Sequence, residues 1–307
     1  GVHVGQLKKA ITLLEEAKKP MFLIGGGVNL AHAQQEMTKL AEKIDAPVIT
    51  TVMGRGAIST EHPLYIGNIG MHGSYAANKT ADESAAISRN VTVDIPIVAD
   101  AKAAILKILE HTEPMEHKEW LDEIQSWEKE YPLQMEVKDG VNPQRIIETL
   151  NEVYADRDTV FTSDVGQHQM WASQYLKLDA THRLVQSGGL GTMGFGLPSA
   201  VGAQIGCPEK SIVSISGDGG FQMNMQELAT AVCQELPLVN IVFNNNRLGM
   251  VRQMQELFFK NRYTITCLRY HKSCKGKCGT PGWVCPEYVP DFVKMAEAYG
   301  TKGYFVT

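Results

Sequence analysis

The sequence lacks any apolar run long enough to cross a membrane as a helix, and its start shows no signal-peptide pattern. It also lacks a dominant basic cluster, and the formal net charge is −5, so nucleic acid is not an expected partner. We therefore expect a cytoplasmic protein that binds neither membranes nor nucleic acid. Because the chain begins at Gly1, we interpret it as a piece of a longer protein.

Cysteines are scarce outside one short segment, residues 266–286. The four cysteines there are spaced C-x6-C-x3-C-x6-C: Cys267, Cys274, Cys278 and Cys285. Thiolates this close together can hold zinc or an iron–sulfur cluster, although C-x2-C pairs are absent and lysines flank them. The alternative is free thiols on a surface insertion in a reducing cytoplasm. Cys207 and Cys233 are interpreted as isolated core residues.

The composition is that of an ordinary globular protein. The chain has 307 residues, of which 44% are hydrophobic and 21% charged, which suits two domains. Alternating strand and helix patterns predict an α/β protein with two doubly wound parallel-sheet domains. We expect a first domain over 1–112, a linker helix within 113–140 with a tryptophan stripe, and a second domain over 141–307 that includes the insertion. A helix over 290–299 and a strand over 302–306 are predicted near its end.

Residues 211–253 predict a β-α-β crossover. Strands are expected at Ser211–Ser216 and Leu238–Phe243, with a helix between them. Asn224 and Glu227 have the spacing of a capping box at the start of that helix. Strands joined by such a crossover are parallel, so their carboxyl ends meet at one edge of the sheet.

Asp218 and Asn245 follow these two strands directly, so their oxygens are expected to meet at that edge. Oxygen ligands of this kind suit Mg²⁺, which commonly keeps phosphate oxygens in its coordination shell. Gly217, Gly219 and Gly220 allow the backbone to approach a diphosphate closely. The alternative interpretation is a plain Rossmann-type turn beside a polar strand end.

The motif Gly217-Asp218-Gly219 followed by Asn244-Asn245 resembles the diphosphate-binding motif of thiamine diphosphate enzymes. The segments F-Q-M-N-M-Q-E-L-A-T, L-G-M-V-R-Q, Q-H-Q-M-W and G-G-L-G-T-M-G-F-G-L-P resemble the catalytic subunit of acetolactate synthases. That resemblance implies condensation of two pyruvates, or of pyruvate and 2-oxobutanoate, with loss of CO₂ in branched-chain amino acid biosynthesis. It implies a homodimer or homotetramer, and it leaves open a small regulatory subunit.

Position by position, the resemblance implies a thiamine diphosphate pocket and a Mg²⁺ site. The pocket residues would be Val165, Gly166, Gln167, His168, Gly191, Met193, Gly217, Gly219, Gly220, Gly249, Met250 and Val251. The Mg²⁺ ligands would be Asp218, Asn245 and the backbone carbonyl of Arg247. Met193, which would support the bent cofactor, and Met250 are the candidate catalytic residues. Gly220 stands where the family has serine, and Met254 where it has tryptophan.

Residues 1–112 resemble the middle domain of the same enzymes, which holds FAD. The residues that match flavin-lining stretches are Gly25, Gly26, Gly27, Met53, Gly70, Met71, His72 and Gly73. No apolar strand is recognisable between Thr51 and about Val91, and the join near residues 80–84 is interpreted as a deletion. The FAD-type domain is therefore predicted to be incomplete.

The activating glutamate of the family belongs to an upstream domain that this sequence does not contain, so the chain alone is expected to be inactive. One alternative is another thiamine diphosphate enzyme, such as a pyruvate oxidase or a 2-keto acid decarboxylase. These share the Gly217-Asp218-Gly219 and paired-asparagine motifs but not Q-H-Q-M-W with G-G-L-G-T-M-G-F-G-L-P. The second alternative is a non-catalytic fragment or scaffold that keeps the cofactor motifs without function.

Overall fold

A computed structural model describes residues 2–83, 94–137, 140–278, 281–287 and 290–307, and of 82–83 only the backbone. The chain divides into two compact units. The first comprises Gly1–Val137, Gln144–Glu152 and Ser173–Arg183, and the second comprises Lys138–Pro143, Val153–Ala172 and Leu184–Thr307. Of the predicted join near 80–84, residues 80–83 form the end of a helix and residue 84 lies outside the described residues. No helix of the described residues has the length and apolarity needed to span a membrane.

The first unit contains a parallel sheet of three strands in the order β1-β2-β3. These strands are β1 (Phe22–Ile24), β2 (Val48–Thr50) and β3 (Tyr65–Asn68). The search for an apolar strand between Thr51 and about Val91 overlooked β3, which lies in that stretch. That strand alternates half-buried Tyr65 and Gly67 with buried Ile66 and Asn68, so it has no apolar run to recognise.

This unit also contains helices. They are α1 (Val4–Glu16), α2 (Gly27–Leu30), α3 (Gln34–Ile44), α4 (Tyr75–Glu83), α5 (Ala101–His111), α6 (Lys118–Glu130) and α7 (Pro143–Val153). His32 has a left-handed backbone with φ 50°, which separates α2 from α3. The tryptophan stripe of α6 packs on the sheet: Trp120 and Ile124 are buried in one cluster with Ile49.

The second unit contains a four-stranded sheet in the order β5-β4-β6-β7. Its strands are β4 (Thr159–Ser163), β5 (His182–Gln186), β6 (Ser211–Gly217) and β7 (Val239–Phe243). β6 pairs in parallel with β4 on one side and with β7 on the other. Its interior is buried, so it is the central strand on which the site is built.

Six further helices follow the strands: α8 (Gln167–Tyr175), α9 (Gly196–Gly206), α10 (Asp218–Met223), α11 (Glu227–Cys233), α12 (Gly249–Phe258) and α13 (Phe292–Ala298). The predicted capping box was wrong. Asn224 instead donates from Nδ2 to the carbonyl oxygen of Gly194 at 2.8 Å, and α11 begins after Gln226. A hydrogen bond to a residue distant in sequence therefore replaces the helix-capping bond predicted for the Asn224 side chain.

The strand predicted over 302–306 is not formed, and Tyr304, Phe305 and Val306 are exposed. Apolar residues favour a strand, but a strand exists only when its backbone pairs with a neighbour. Within the described residues this segment has no partner strand.

Candidate active site

The carboxyl ends of β6 and β7 lie side by side. The two strands are parallel neighbours, and Gly217 pairs in register with Phe243. Asp218 therefore leaves the central strand at the same edge where Asn244 and Asn245 leave its neighbour. Open parallel sheets bind ligands at this edge.

Asp218 has an unpaired buried oxygen. The residue is 2% exposed, and its Oδ1 accepts a hydrogen bond from the Gly219 N–H at 2.8 Å. Among the described residues Oδ2 has no hydrogen-bond partner. Burial raises the pKa of Asp218 to about 6, although backbone amides at Gly219, Asn246 and Arg247 oppose the shift. A carboxylate left unpaired in this way is stabilised by a bound cation, so the residue fits a metal ligand.

Asn245 is linked to the start of α8 through Gln167. Its Nδ2 donates to Gln167 Oε1 at 3.4 Å, and Gln167 Nε2 donates to Gln253 Oε1 at 3.1 Å. Asn245 Oδ1 accepts from the Arg247 N–H at 3.0 Å. A β-carbon at Gly249 would lie 2.2 Å from Gln167 Oε1, so a larger residue there would displace the Gln167 amide. These contacts bring four predicted residues, Gln167, Asn245, Arg247 and Gly249, into one cluster.

Three apolar side chains converge on Gly219. From the point where a β-carbon of residue 219 would stand, Leu248 Cδ2 is 2.6 Å away, Met193 Cε 3.1 Å and Leu268 Cδ1 3.5 Å. The predicted residue Met193 therefore reaches the Gly217-Asp218-Gly219 turn. Leu248 and Leu268 were not predicted, and nothing local in the sequence marks Leu268, which lies in the cysteine-rich segment.

His168 is buried against the backbone of this turn. A β-carbon at Gly217 would lie 2.9 Å from its Nδ1, and the Nε2 atom has no partner among the described residues. Burial lowers the pKa of His168 to about 4, and the nearby Asp164 opposes that shift. The imidazole is therefore neutral at physiological pH.

Asp164, which was not predicted, ties the end of β4 to the glycine-rich segment 187–196. It is 1% exposed. Its Oδ1 accepts from the N–H groups of Val165 at 2.8 Å and Gly194 at 3.1 Å, and Oδ2 accepts from Gly196 at 2.8 Å. A β-carbon at Gly220 would collide with this carboxylate. The sequence could have indicated Asp164, because this residue directly follows a buried strand, as Asp218 does.

Three further candidates are Gly191, Met250 and Val251. Gly191 has φ +66°, and a β-carbon there would lie 3.9 Å from Val165 Cγ1. Met250 and Val251 are in the first turn of α12, where Val251 is exposed. The first turn of a helix directs unpaired N–H groups outward, which suits an anionic ligand.

In the first unit the flavin candidates follow all three strands. Gly25, Gly26 and Gly27 follow β1, Met53 follows β2, and residues 70–73 follow β3, so all lie at the carboxyl edge of the sheet. A β-carbon at Gly26 would lie 3.3 Å from the carbonyl oxygen of Met53. His72 has an unpaired buried Nδ1, and burial lowers its pKa.

The structure does not gather the four cysteines of residues 266–286. Cys274 is buried, whereas Cys267, Cys278 and Cys285 are exposed. Throughout the described residues, no group of three or more His, Cys, Asp or Glu side chains is placed to hold a metal ion. The zinc or iron–sulfur interpretation therefore has no support. The core assignment of Cys207 and Cys233 was also wrong, since Cys233 is exposed and Cys207 only half-buried.

Two family models match the chain. The model described as "Thiamine pyrophosphate enzyme, central domain" matches residues 7–86, and "Thiamine pyrophosphate enzyme, C-terminal TPP binding domain" matches residues 164–307. The chain belongs to the thiamine pyrophosphate enzymes. The resemblance in the sequence is confirmed, and the parallel α/β sheets are those of this family's central and cofactor-binding domains.

Curated relatives of this chain include acetolactate synthases. The chain is 37% identical over 351 residues to a probable acetolactate synthase large subunit of Methanococcus aeolicus, covering 98% of this chain and 56% of the relative. It is 36% identical to acetolactate synthase isozyme 3 large subunit of Escherichia coli K12, again covering 98% of this chain and 56% of the relative. The large subunit of Corynebacterium glutamicum is 35% identical, with 99% and 53% covered. The chain thus spans little more than half the length of these relatives.

Proposed function

We propose that this chain is the central and cofactor-binding part of an acetolactate synthase. The proposed enzyme condenses two pyruvates, or pyruvate and 2-oxobutanoate, with loss of CO₂, and depends on thiamine diphosphate and Mg²⁺. The observation that carries the proposal is the pairing of β6 with β7, which sets Asp218, with its unpaired Oδ2, beside the Asn245 loop. The curated relatives favour this reaction over other chemistry of the family.

Thiamine diphosphate, when bound, supplies the decarboxylation and two-carbon transfer chemistry. The role of the chain is to hold and orient it. Asp218, Asn245 and the carbonyl of Arg247 would hold Mg²⁺ against the diphosphate, and Gly217 and Gly219 would admit the phosphate oxygens. Met193 would form an apolar wall beside Gly219, where its terminal methyl group already lies.

For FAD, we propose that this chain carries only part of the site. The glycines after β1 and β3 form a cradle at the edge of the first sheet, and no atom lies within 4 Å of a β-carbon built at Gly25, Gly27 or Gly70. The 351 positions of the alignment with the Methanococcus aeolicus relative exceed the 307 residues of this chain. The relative therefore has residues in this span that the chain lacks, which supports the proposed deletion.

The remaining parts of the proposal concern the whole protein. It would be a cytoplasmic homodimer or homotetramer, as the resemblance implies, and an upstream domain would supply the activating glutamate. The proposed domains are 1–112 and 141–307, joined by 113–140. This chain by itself would bind the cofactor without turning over pyruvate.

Cofactor binding by this chain tests the site directly. Isothermal titration calorimetry with thiamine diphosphate and Mg²⁺ should show binding that requires both. Asp218→Ala and Asn245→Ala should each raise Kd by about 100-fold or more, since even supporting contacts to a metal are worth about 10- to 100-fold. Asp156→Ala, which removes an exposed carboxylate of the same unit, is the matched control and should bind as the parent does. Thermal melts would establish that each variant is folded, and unchanged affinity in folded Asp218→Ala would refute the metal site.

Product analysis on the full-length protein tests the reaction. We expect 2-acetolactate from pyruvate. Acetaldehyde would indicate a 2-keto acid decarboxylase, and acetyl phosphate a pyruvate oxidase. Absence of cofactor binding by the full-length protein would favour a non-catalytic scaffold.

A further inference from the structure

The cysteine-rich segment begins as a strand-like partner of the proposed metal loop. The Leu248 N–H donates to the Thr266 carbonyl oxygen at 2.9 Å, and the Leu268 N–H donates to the Asn246 carbonyl oxygen at 2.9 Å. These two bonds flank an antiparallel bridge between Arg247 and Cys267. Residues 266–268 are thus paired with the residues that follow Asn245.

The same segment is anchored to α12 on its other side. Gln255 Nε2 donates to the Thr264 carbonyl oxygen at 3.1 Å, and the Thr266 hydroxyl donates to Gln255 Oε1 at 3.5 Å. Thr266 is 3% exposed, although Ile265 beside it is almost fully exposed. The stretch 264–268 is therefore fixed between α12 and the 246–248 loop.

This pairing places the Leu268 side chain beside the Gly217-Asp218-Gly219 turn. Leu268 Cδ1 lies 3.5 Å from the position of a β-carbon at Gly219, beside the tips of Leu248 and Met193. Gly219 is flanked by Asp218, the proposed Mg²⁺ ligand. Arg269, the next residue, donates hydrogen bonds to the carbonyl oxygens of Cys285 and Pro286.

We propose that Leu268 is a positioning residue of the thiamine diphosphate pocket, and that the cysteine-rich segment serves to place it there. The inference rests on the proposed function. The backbone pairing holds residues 246–248, which directly follow the proposed Mg²⁺ ligand Asn245. The Leu268 side chain closes the apolar wall over Gly219 with Leu248 and Met193.

A leucine of the pocket wall affects cofactor affinity more than fold stability, whereas a merely structural leucine affects fold stability. An apolar wall contributes to ligand affinity through its shape and contact area, whereas Leu268 is only half-buried and contributes little to the core. Leu268→Ala should therefore weaken cofactor binding more than it lowers the melting temperature of the free chain. A longer, flexible apolar side chain should restore the contact.

The test compares three variants by calorimetry with thiamine diphosphate at saturating Mg²⁺. Leu268→Ala should raise Kd by roughly tenfold, in the range that the loss of apolar contacts in a pocket produces. Leu268→Met should recover most of the affinity. Leu257→Ala, at a residue of α12 that is 61% exposed, is the matched control and should leave Kd unchanged. Melting temperatures without cofactor should differ little between the two alanine variants.

Hydrogen exchange gives a readout that does not depend on the cofactor. The amides of Leu248 and Leu268 should exchange slowly in the free chain because each is hydrogen-bonded across the pair. Rapid exchange at both would overturn the inference. If the chain binds the cofactor and Leu268→Ala binds equally well, the inference fails and the proposed function stands. If the chain binds no cofactor, the proposed function fails, and the role of Leu268 fails with it even when both amides are protected.

Discussion

His168 is the residue on which burial acts most strongly. Its ring is packed against Gly217, and its Nε2 has no partner among the described residues. A buried imidazolium would lack solvation, so the pKa falls to about 4 despite the opposing effect of Asp164. The sequence allowed His168 to be named as a pocket residue but not its burial, which depends on β6 lying beside the end of β4.

This burial predicts a pH dependence of stability. A histidine with a depressed pKa takes up its proton in the unfolded chain first, so stability should fall as pH drops from about 6.5 towards 4. The contribution of His168 to that loss should be at most about 3 kcal/mol. Denaturant unfolding at pH 7, 5 and 4 would measure it, and His168→Gln should flatten the profile, whereas His111→Gln, at an exposed site, should not. An NMR titration midpoint for His168 near 6.5 would contradict the prediction even where His168→Gln fails to fold.

At the scale of elements, the cysteine-rich segment shows how a pattern can indicate the wrong chemistry. Four cysteines within 20 residues suggested a metal site, but spacing alone does not specify where the side chains point. In the structure only Cys274 turns inward, where its sulfur accepts a hydrogen bond from the His271 N–H at 3.4 Å. The other three face solvent, and the segment is organised by its backbone pairing with the loop after β7.

Thiol labelling should distinguish these positions. In the native chain Cys267, Cys278 and Cys285 should react rapidly with an alkylating reagent, whereas Cys274 should react only as fast as the segment opens. Peptide mapping by mass spectrometry would assign the rates, and labelling in denaturant would show that all four are chemically competent. Equal native rates for Cys274 and Cys278 would contradict the structure. If all four cysteines resisted alkylation and a chelator abolished that resistance, the metal-site interpretation would be restored.

For the whole molecule, the two units differ in how much of a site each holds. The second unit contains a sheet whose central strand has neighbours on both sides and whose carboxyl edge carries the proposed Mg²⁺ ligands. Among the described residues the first unit contains three strands, with β1 at one edge. The flavin candidates lie at the carboxyl edge of that sheet. Because β1 is an edge strand, no neighbouring strand of the described residues extends this binding edge beyond it.

We therefore expect the chain to bind thiamine diphosphate and to be purified without FAD. A ligand as large as FAD needs contacts from more of a sheet edge than the three short strands of the described residues offer, so its affinity should be low. The visible absorbance spectrum of the purified chain, before and after incubation with FAD and gel filtration, measures retention. Thiamine diphosphate binding by the same sample is the control for a folded protein. Stoichiometric flavin retained through gel filtration would show that the site is complete without the missing residues.

The sequence by itself determined the α/β class, the β6-helix-β7 crossover and the position of Asp218 and Asn245 after two neighbouring parallel strands. Each of these follows from a local pattern combined with the rule that crossover-linked strands are parallel. Only the tertiary structure decided that Tyr65–Asn68 is a strand, that Asn224 bonds to Gly194 rather than capping α11, and that Leu268 reaches Gly219. These features depend on contacts between segments distant in sequence or on pairing with a neighbouring strand, and neither leaves a periodic pattern in the residues themselves.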